Sequence, residues 1–127
     1  MTEARRLRVL IVDDEPDMLA LLQAVLVTHD WEVIGRANDG ETAVRIAGDI
    51  APDLIIVDYM MPGLNGVETA EHIKAIRPAS EIMLFSALDL EQDVAGHPAV
   101  DRFLRKGDMR ALQRVLSEIR KEHDLDG

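Results

Sequence analysis

The feature that most constrains the fold is the strict alternation of two patterns along the chain. Short runs rich in Val, Ile and Leu predict strands at residues 8–12, 31–37, 53–57, 81–85 and 100–104. Apolar stripes at helical spacing follow them in residues 16–29, 43–50, 67–76, 88–95 and 109–119. Alternation of this kind implies a parallel five-stranded sheet with right-handed crossovers. We therefore predict a three-layer, doubly wound α/β fold with helices on both faces of the sheet.

The third strand ends in an unusual way. Leu54 to Val57 are all apolar, as expected for a strand that is buried on both faces, yet the next residue is Asp58. A carboxylate at such a position is costly unless it reaches solvent or has a function. The carboxyl ends of the strands form the edge where open α/β sheets bind ligands. Asp58 is therefore a candidate functional residue.

Length and composition exclude several classes of protein. The 127 residues predict a single domain with its core at residues 8–119 and a frayed tail or linker at residues 122–127. The absence of cysteine excludes disulfides and thiolate chemistry. The net charge of −10 argues against nucleic-acid binding. No apolar run has the length of a membrane span and no leader segment is evident, so a cytoplasmic location is expected.

Polar residues follow four of the predicted strands. Strand 1 is followed by Asp13 and Asp14, strand 3 by Asp58, strand 4 by Ser86 and strand 5 by Lys106. If these strands are neighbours, three carboxylates converge and repel one another unless a cation is bound. Mg²⁺ suits a few carboxylates together with water and phosphate oxygens. Carboxylates, Mg²⁺ and one lysine make an arrangement that suits phosphoryl transfer.

Each of these residues alone has a simpler explanation. Asp13 and Asp14 could cap a helix, Asp58 could belong to the turn before Pro62, and Lys106 could be solvated. Their joint occurrence at successive strand ends favours a functional site. The histidines at positions 29, 72, 97 and 123 show no ligand spacing and are expected at the surface.

With these residues in view, the chain resembles the receiver domains of response regulators in two-component signalling, from Arg8 to Ile119. The matching segments are VDDEP at 12–16, VDYMMPGLNG at 57–66, Ser86-Ala87 and Lys106. No single segment is specific, whereas the ordered set is. The resemblance implies a flavodoxin-like (βα)5 fold, similar to the chemotaxis receiver CheY, with strand order 2-1-3-4-5.

The resemblance also implies roles for individual residues. Asp58 would accept a phosphoryl group from a phosphohistidine on a sensor histidine kinase or phosphotransfer protein. Mg²⁺ (or Mn²⁺) would be held by Asp13, Asp14, Asp58 and the backbone carbonyl of Met60. Lys106 would contact the phosphoryl oxygens, and Ser86 and Phe103 would switch the face formed by helix 4, strand 5 and helix 5. Met60 and Leu88 would tune dephosphorylation, and their apolar character suggests a long-lived phosphoryl group.

Two departures from the family pattern are visible. Lys106 is usually followed by a proline in a cis bond, whereas Gly107 follows here, so a trans bond is expected. The segment between Ser86 and Val100 is interrupted by Gly96-His97-Pro98, so the fourth helix is expected to be one or two turns long or disordered.

Other interpretations stay open at this point. The chain could be a pseudo-receiver that docks without phosphorylation, or a Mg²⁺-dependent aspartyl-phosphate phosphatase, although its adjacent acids and short length disfavour the latter. The sequence predicts a signalling module and no further enzymatic activity. Acids and bases beside one another could support a symmetric homodimer; they are Asp89, Glu91, Asp93, Asp101, Arg102, Arg110 and Arg114.

Overall fold

A computed structural model describes residues 6–126, with side chains to Asp124. The five strands are β1 (Arg8–Val12), β2 (Glu32–Ala37), β3 (Leu54–Val57), β4 (Glu81–Ser86) and β5 (Arg102–Arg105). The five helices are α1 (Pro16–Thr28), α2 (Gly40–Ile50), α3 (Gly66–Ile76), α4 (Glu91–Val94) and α5 (Met109–Asp126). All strand pairs are parallel and the order is β2-β1-β3-β4-β5. The predicted fold class and strand order are confirmed.

Apolar side chains pack on both faces of this sheet. On one face, Trp31 and Phe85 are buried with residues of α1 and α5. On the other face, Ala43, Ile73 and Leu84 belong to a cluster that includes α2, α3 and α4. Every residue of β3 is buried, which explains why its sequence is apolar on both faces.

The sheet fixes the backbone of the residues that follow its strands. The N–H of Asp13 donates to the carbonyl of Ala37 at 3.0 Å, and the N–H of Asp58 donates to that of Val12 at 3.0 Å. The N–H of Lys106 donates to the carbonyl of Ser86 at 2.8 Å. Each of these three bonds extends the hydrogen bonding of the sheet by one residue past a strand. The backbones of Asp13, Asp58 and Lys106 are therefore fixed at the edge of the sheet.

Strand β5 begins later than predicted, whereas helix α4 agrees with the expectation of one or two turns. β5 begins two residues later than predicted, because the N–H of Val100 closes a turn onto the carbonyl of His97 at 3.1 Å. α4 is a single turn, and the left-handed Gly96 (φ +77°) follows it. Val94 and Ala99 are buried on either side, so hydrophobic contacts anchor this short segment.

The end of α5 also differs from the prediction. The helix continues through Asp126, whereas a frayed tail was expected from Glu122; Gly127 lies outside the described residues. The guanidinium of Arg102 donates to both carboxylate oxygens of Glu122, at 3.0 and 3.1 Å. Both bonds come from the Nη2 of Arg102, and they join the last turns of α5 to β5 and favour the longer helix.

Helix α3 begins directly against the loop that follows β3. Asn65 and Glu68 form a reciprocal capping box, and the N–H of Gly66 donates to the carbonyl of Tyr59 at 2.8 Å. A Cβ atom at Gly66 would lie 2.4 Å from the carbonyl oxygen of Asp58 and 2.8 Å from the Cα of Tyr59. Only glycine lets the helix approach the Asp58 backbone this closely.

We expect Gly66→Ala to destabilise the protein by about 2–3 kcal/mol, because backbone atoms would have to move to admit the methyl group. Urea denaturation measures the loss. The control is Gly48→Ala inside α2, where the nearest atom to the new Cβ is Ile76 Cδ1 at 3.5 Å. That variant should gain about 0.5–1 kcal/mol. Equal effects of the two substitutions would contradict the packing argument.

Candidate functional site

The centre of the site is the ammonium group of Lys106, which lies between two buried carboxylates. Lys106 Nζ is 2.8 Å from Asp13 Oδ2 and 3.1 Å from Asp58 Oδ2. Asp13 is 1% exposed and Asp58 is 5% exposed. Buried carboxylates need such a partner, since an unpaired charge in this position is expensive. One side chain therefore links the ends of β1, β3 and β5.

Two further acids lie beside this pair. Asp13, Asp14 and Asp58 each offer one carboxylate oxygen, and these three oxygens lie within 4.8 Å of one another. The side chain of Asp14 is exposed. Glu15 Oε1 is 3.7 Å from Lys106 Nζ, and the N–H of Glu15 donates to Asp13 Oδ1 at 2.9 Å. The three aspartates and Lys106 together leave two negative charges when all are ionised.

The pKa values of Asp58 and Lys106 reflect this crowding. Burial is the largest influence on Asp58 and raises its pKa, a neighbouring carboxylate acts in the same direction, and the Lys106 ammonium offsets only part of the effect. For Lys106, burial acts to lower the pKa, but its bonds to Asp13 and Asp58 outweigh burial and the pKa is raised. Lys106 therefore stays charged, while Asp58 is the carboxylate whose ionised form is disfavoured in this cluster.

The donor set fits a hard divalent cation. All three side chains offer carboxylate oxygen, and two of them are held on a rigid sheet edge. The net charge of the three aspartates and Lys106 is equal in magnitude and opposite in sign to that of Mg²⁺ or Mn²⁺. Asp14 is exposed, so the open side of the cluster is accessible to solvent. The cluster can therefore admit a cation that keeps several of its waters.

Ser86 and Phe103 lie close to this edge but do not join the ion-pair cluster. The buried hydroxyl of Ser86 accepts the N–H of Leu88 at 3.2 Å, and among the described side chains it has no hydrogen bond to Asp58. Phe103 is partly buried and packs against the cluster that contains Leu84, Val94 and Ala99. Ser86 in β4 and Phe103 in β5 therefore flank the segment that connects these strands and contains α4.

Met60 and Leu88 are exposed apolar side chains, 59% and 42% exposed. The backbone N–H of Met60 also acts to lower the pKa of Asp58, against the larger effect of burial. An open groove of about 450 Å³ adjoins the site and is lined by Asp14, Tyr59, Met60, Met61, Pro62 and Asn65. The groove that leads to the site is thus lined by both methionine and polar side chains.

The structure adds two residues that the sequence argument missed. Glu15 was treated only as part of a motif, yet its carboxylate approaches Lys106. Gly66 was likewise only the last residue of the matching segment 57–66, whereas its lack of a side chain lets α3 lie against the Asp58 backbone. The Asn65-Gly66 pair was the available signal, but it does not reveal which backbone the glycine contacts.

The histidine prediction and the trans-bond prediction can also be compared with the structure. His72 is exposed, while His29, His97 and His123 are partly buried; His97 Nδ1 accepts the N–H of Ala99 at 3.0 Å. No peptide bond within residues 6–126 is cis, so the Lys106–Gly107 bond is trans as expected.

Two residues of the predicted dimer face are engaged within the chain. Lys74 is 2.7 Å from Asp101, and Arg102 pairs with Glu81, Glu118 and Glu122. These groups would have to leave their present partners to form contacts between copies. The homodimer stays a prediction.

Comparison with known proteins identifies the family. The family model described as "Response regulator receiver domain" matches residues 9–117. The chain belongs to the response-regulator receiver family. Receivers are the signalling modules of two-component regulatory systems, and they are not enzymes in the usual sense.

Relatives of this receiver differ in what accompanies the shared domain. It is 34% identical over 87 residues to the nitrate/nitrite response regulator protein NarL of Escherichia coli K12, covering 68% of this chain and 40% of NarL. It is 40% identical over 95 residues to protein-glutamate methylesterase/protein-glutamine glutaminase 3 of Myxococcus xanthus, covering 74% of this chain and 26% of that protein. The receiver thus spans well under half of either relative.

Among solved structures, the receiver is similar to the CheX–CheY–BeF3–Mg²⁺ complex from Borrelia burgdorferi. The TM-score is 0.82 with 28% identity, and 89% of each chain is covered. Within residues 6–126, none of the helices combines the length and the apolar composition of a membrane-spanning segment.

We expect Asp58→Asn to be more stable than the native receiver at pH 7 in the absence of divalent ions. Because the folded pKa of Asp58 is raised, its favourable contribution is complete below the unfolded pKa and is lost as the pH rises through the folded pKa. The stability difference should therefore shrink on acidification towards pH 4. Thermal unfolding in chelator across this pH range measures it.

Asp39→Asn is the matched control. Asp39 accepts the N–H of Thr42 at 2.8 Å, and this hydrogen bond is the main reason its pKa is lowered. A lowered pKa contributes stability above the unfolded pKa and loses it as the pH falls, so this variant should be less stable than native at pH 7. The two variants should shift in opposite directions.

Proposed function

We propose that this receiver accepts a phosphoryl group on Asp58 in a Mg²⁺-dependent reaction and transmits the change through the face formed by α4, β5 and α5. The observation that carries the proposal is the ammonium of Lys106 between Asp13 and Asp58, with Asp14 completing a cluster of three carboxylates. Asp13 and Asp58 are the only buried carboxylates among the described side chains, and they share this one partner.

The proposed step is a displacement at phosphorus. A carboxylate oxygen of Asp58 forms a bond to phosphorus, the bond from phosphorus to the donor imidazole breaks, and the donor histidine leaves with the electron pair. Asp13, Asp14 and Asp58, with the Met60 carbonyl, would hold Mg²⁺, which supplies charge neutralisation at the phosphoryl oxygens. Lys106 supplies a second positive charge at the same edge of the sheet.

The proposed switch involves Ser86 and Phe103. Ser86 would exchange its present partner, the N–H of Leu88, for a phosphoryl oxygen. That exchange would draw in the loop before α4 and leave space that Phe103 can fill. The short α4 and the partly buried state of Phe103 support this, since both can move without unfolding a long helix.

The proposed donor is a sensor histidine kinase or a phosphotransfer protein, which implies a cytoplasmic location shared with that donor. The BeF3–Mg²⁺ complex of the similar Borrelia CheY supports the choice of cation. The receiver would catalyse only its own phosphorylation and dephosphorylation. The methylesterase activity named for one relative is not proposed for this domain.

Incubation with acetyl phosphate and Mg²⁺ should add the mass of one phosphoryl group to the native receiver. Asp58→Asn should gain none, because the attacking oxygen is replaced by an amide. Intact-mass spectrometry with and without chelator measures the product. Asp39→Asn is the control, since it removes a carboxylate that caps α2 and does not belong to the cluster of Asp13, Asp14 and Asp58.

A native receiver that stays unmodified under these conditions would instead favour a pseudo-receiver that docks without phosphorylation. A catalytic release of phosphate from small aspartyl-phosphate analogues would favour a phosphatase. A product on the native chain that is equally abundant in Asp58→Asn would place the phosphoryl group elsewhere.

The exposed apolar side chains of Met60 and Leu88 lead to a prediction about lifetime. We expect slow loss of the phosphoryl group from the native receiver, and faster loss from Met60→Asn, because an amide can orient the attacking water. An acceleration of about 10-fold is expected, which is less than a positioned general base supplies, because an amide orients the water without taking its proton. Decay of the intact-mass signal after removal of donor measures it. Leu21→Asn, an exposed apolar residue on α1, should decay as native does.

A further inference from the structure

We propose that Gly107 is a positioning residue for Lys106, and that its left-handed backbone directs the lysine into the site in place of the usual Lys-Pro pair. The inference rests on the proposed function of Lys106 at the phosphoacceptor. It concerns how this particular chain achieves that placement.

Residues 105–108 form a tight turn. The N–H of Asp108 donates to the carbonyl of Arg105 at 3.3 Å, and Gly107 has a φ of +95°. A four-residue turn with a positive φ at its third position is a type II turn, which requires glycine or asparagine there. Lys106 therefore occupies the second position of the turn.

Both sides of this turn are fixed. Before it, the N–H of Lys106 is bonded to Ser86 as the last rung beside β5. After it, the carboxylate of Asp108 accepts the N–H of Ala111 at 3.0 Å and caps α5. The chain passes from a rigid strand to a rigid helix within three residues. The direction of the Lys106 side chain thus depends on the backbone angles of Gly107.

Proline cannot replace Gly107 in this turn. A proline ring holds φ near −65°, whereas this position has a φ of +95°. The family's Lys-Pro sequence and the Lys-Gly sequence of this chain are therefore two different backbone solutions. Introducing the family's residue at position 107 is expected to misplace Lys106 rather than to improve its placement.

The position also allows the backbone effect to be isolated. A Cβ at Gly107 would meet no atom within 4 Å, so Gly107→Ala changes only the cost of the left-handed conformation. Gly96 has a φ of +77° and an equally open Cβ position, but it lies in the loop between α4 and β5. Gly96→Ala is therefore a matched control with the same kind of strain and no link to Lys106.

The test compares Gly107→Ala, Gly107→Asn, Gly107→Pro and Gly96→Ala in the whole chain. Acetyl phosphate with Mg²⁺ gives the phosphorylation rate, and nitrogen-15 resonances of lysine ammonium groups report the Lys106 ion pairs without phosphorylation. We expect Gly107→Ala to lower the rate about fivefold, equivalent to about 1 kcal/mol, and to weaken the Lys106 signal. Gly107→Asn should retain both because asparagine tolerates the left-handed region. Gly107→Pro should lose both, and Gly96→Ala should keep both.

A double-mutant cycle with Lys106→Ala separates positioning from general stability. If Gly107 acts through Lys106, Gly107→Ala has no further effect on the rate once Lys106 is absent. An undiminished effect in that background, or a full Lys106 signal in Gly107→Pro, would overturn the proposal. If the native chain is never phosphorylated, the proposed function fails, while the ammonium resonances still decide the role of Gly107.

Discussion

The site depends on one interaction, the contact of the Lys106 ammonium with the carboxylates of Asp13 and Asp58. Each of the three residues follows a different strand, and each has its backbone fixed by a ladder bond to a neighbouring strand. The parallel sheet therefore brings the charges together before any ligand arrives. The same closeness leaves an excess of negative charge, which a bound cation could offset. The stability of the sheet is thus used to hold an electrostatically unfavourable cluster.

The sequence was sufficient to predict this architecture because the information is local. Alternating apolar runs and helical stripes identify β1 through α5, and the polar residues at strand ends identify Asp13, Asp14, Asp58 and Lys106. The start of β5 was predicted two residues too early, since Val100 is as apolar as a strand residue. Its N–H nevertheless bonds to His97 in a turn, and this preference depends on neighbours rather than on composition.

Contacts between distant segments account for the rest. The extension of α5 to Asp126 is favoured by the pairing of Glu122 with Arg102, twenty residues earlier in the chain. The importance of Gly66 arises from its approach to the carbonyl of Asp58. Neither contact has a periodicity that a sequence pattern can reveal. The switch roles proposed for Ser86 and Phe103 come from the family resemblance alone, because they concern a second conformation that residue patterns do not describe.

The close approach at Gly66 has a mechanical consequence. With no side chain between them, the backbone of Asp58 and the first turn of α3 have almost no compressible space. Further along α3, Lys74 is paired with Asp101, and Glu71 is 3.4 Å from His97, both in the segment that leads from α4 to β5. One end of α3 thus contacts the backbone of Asp58, and later turns of the same helix contact the segment between α4 and β5. A displacement of the Asp58 backbone therefore has two routes to that segment, one through the strands and one through α3.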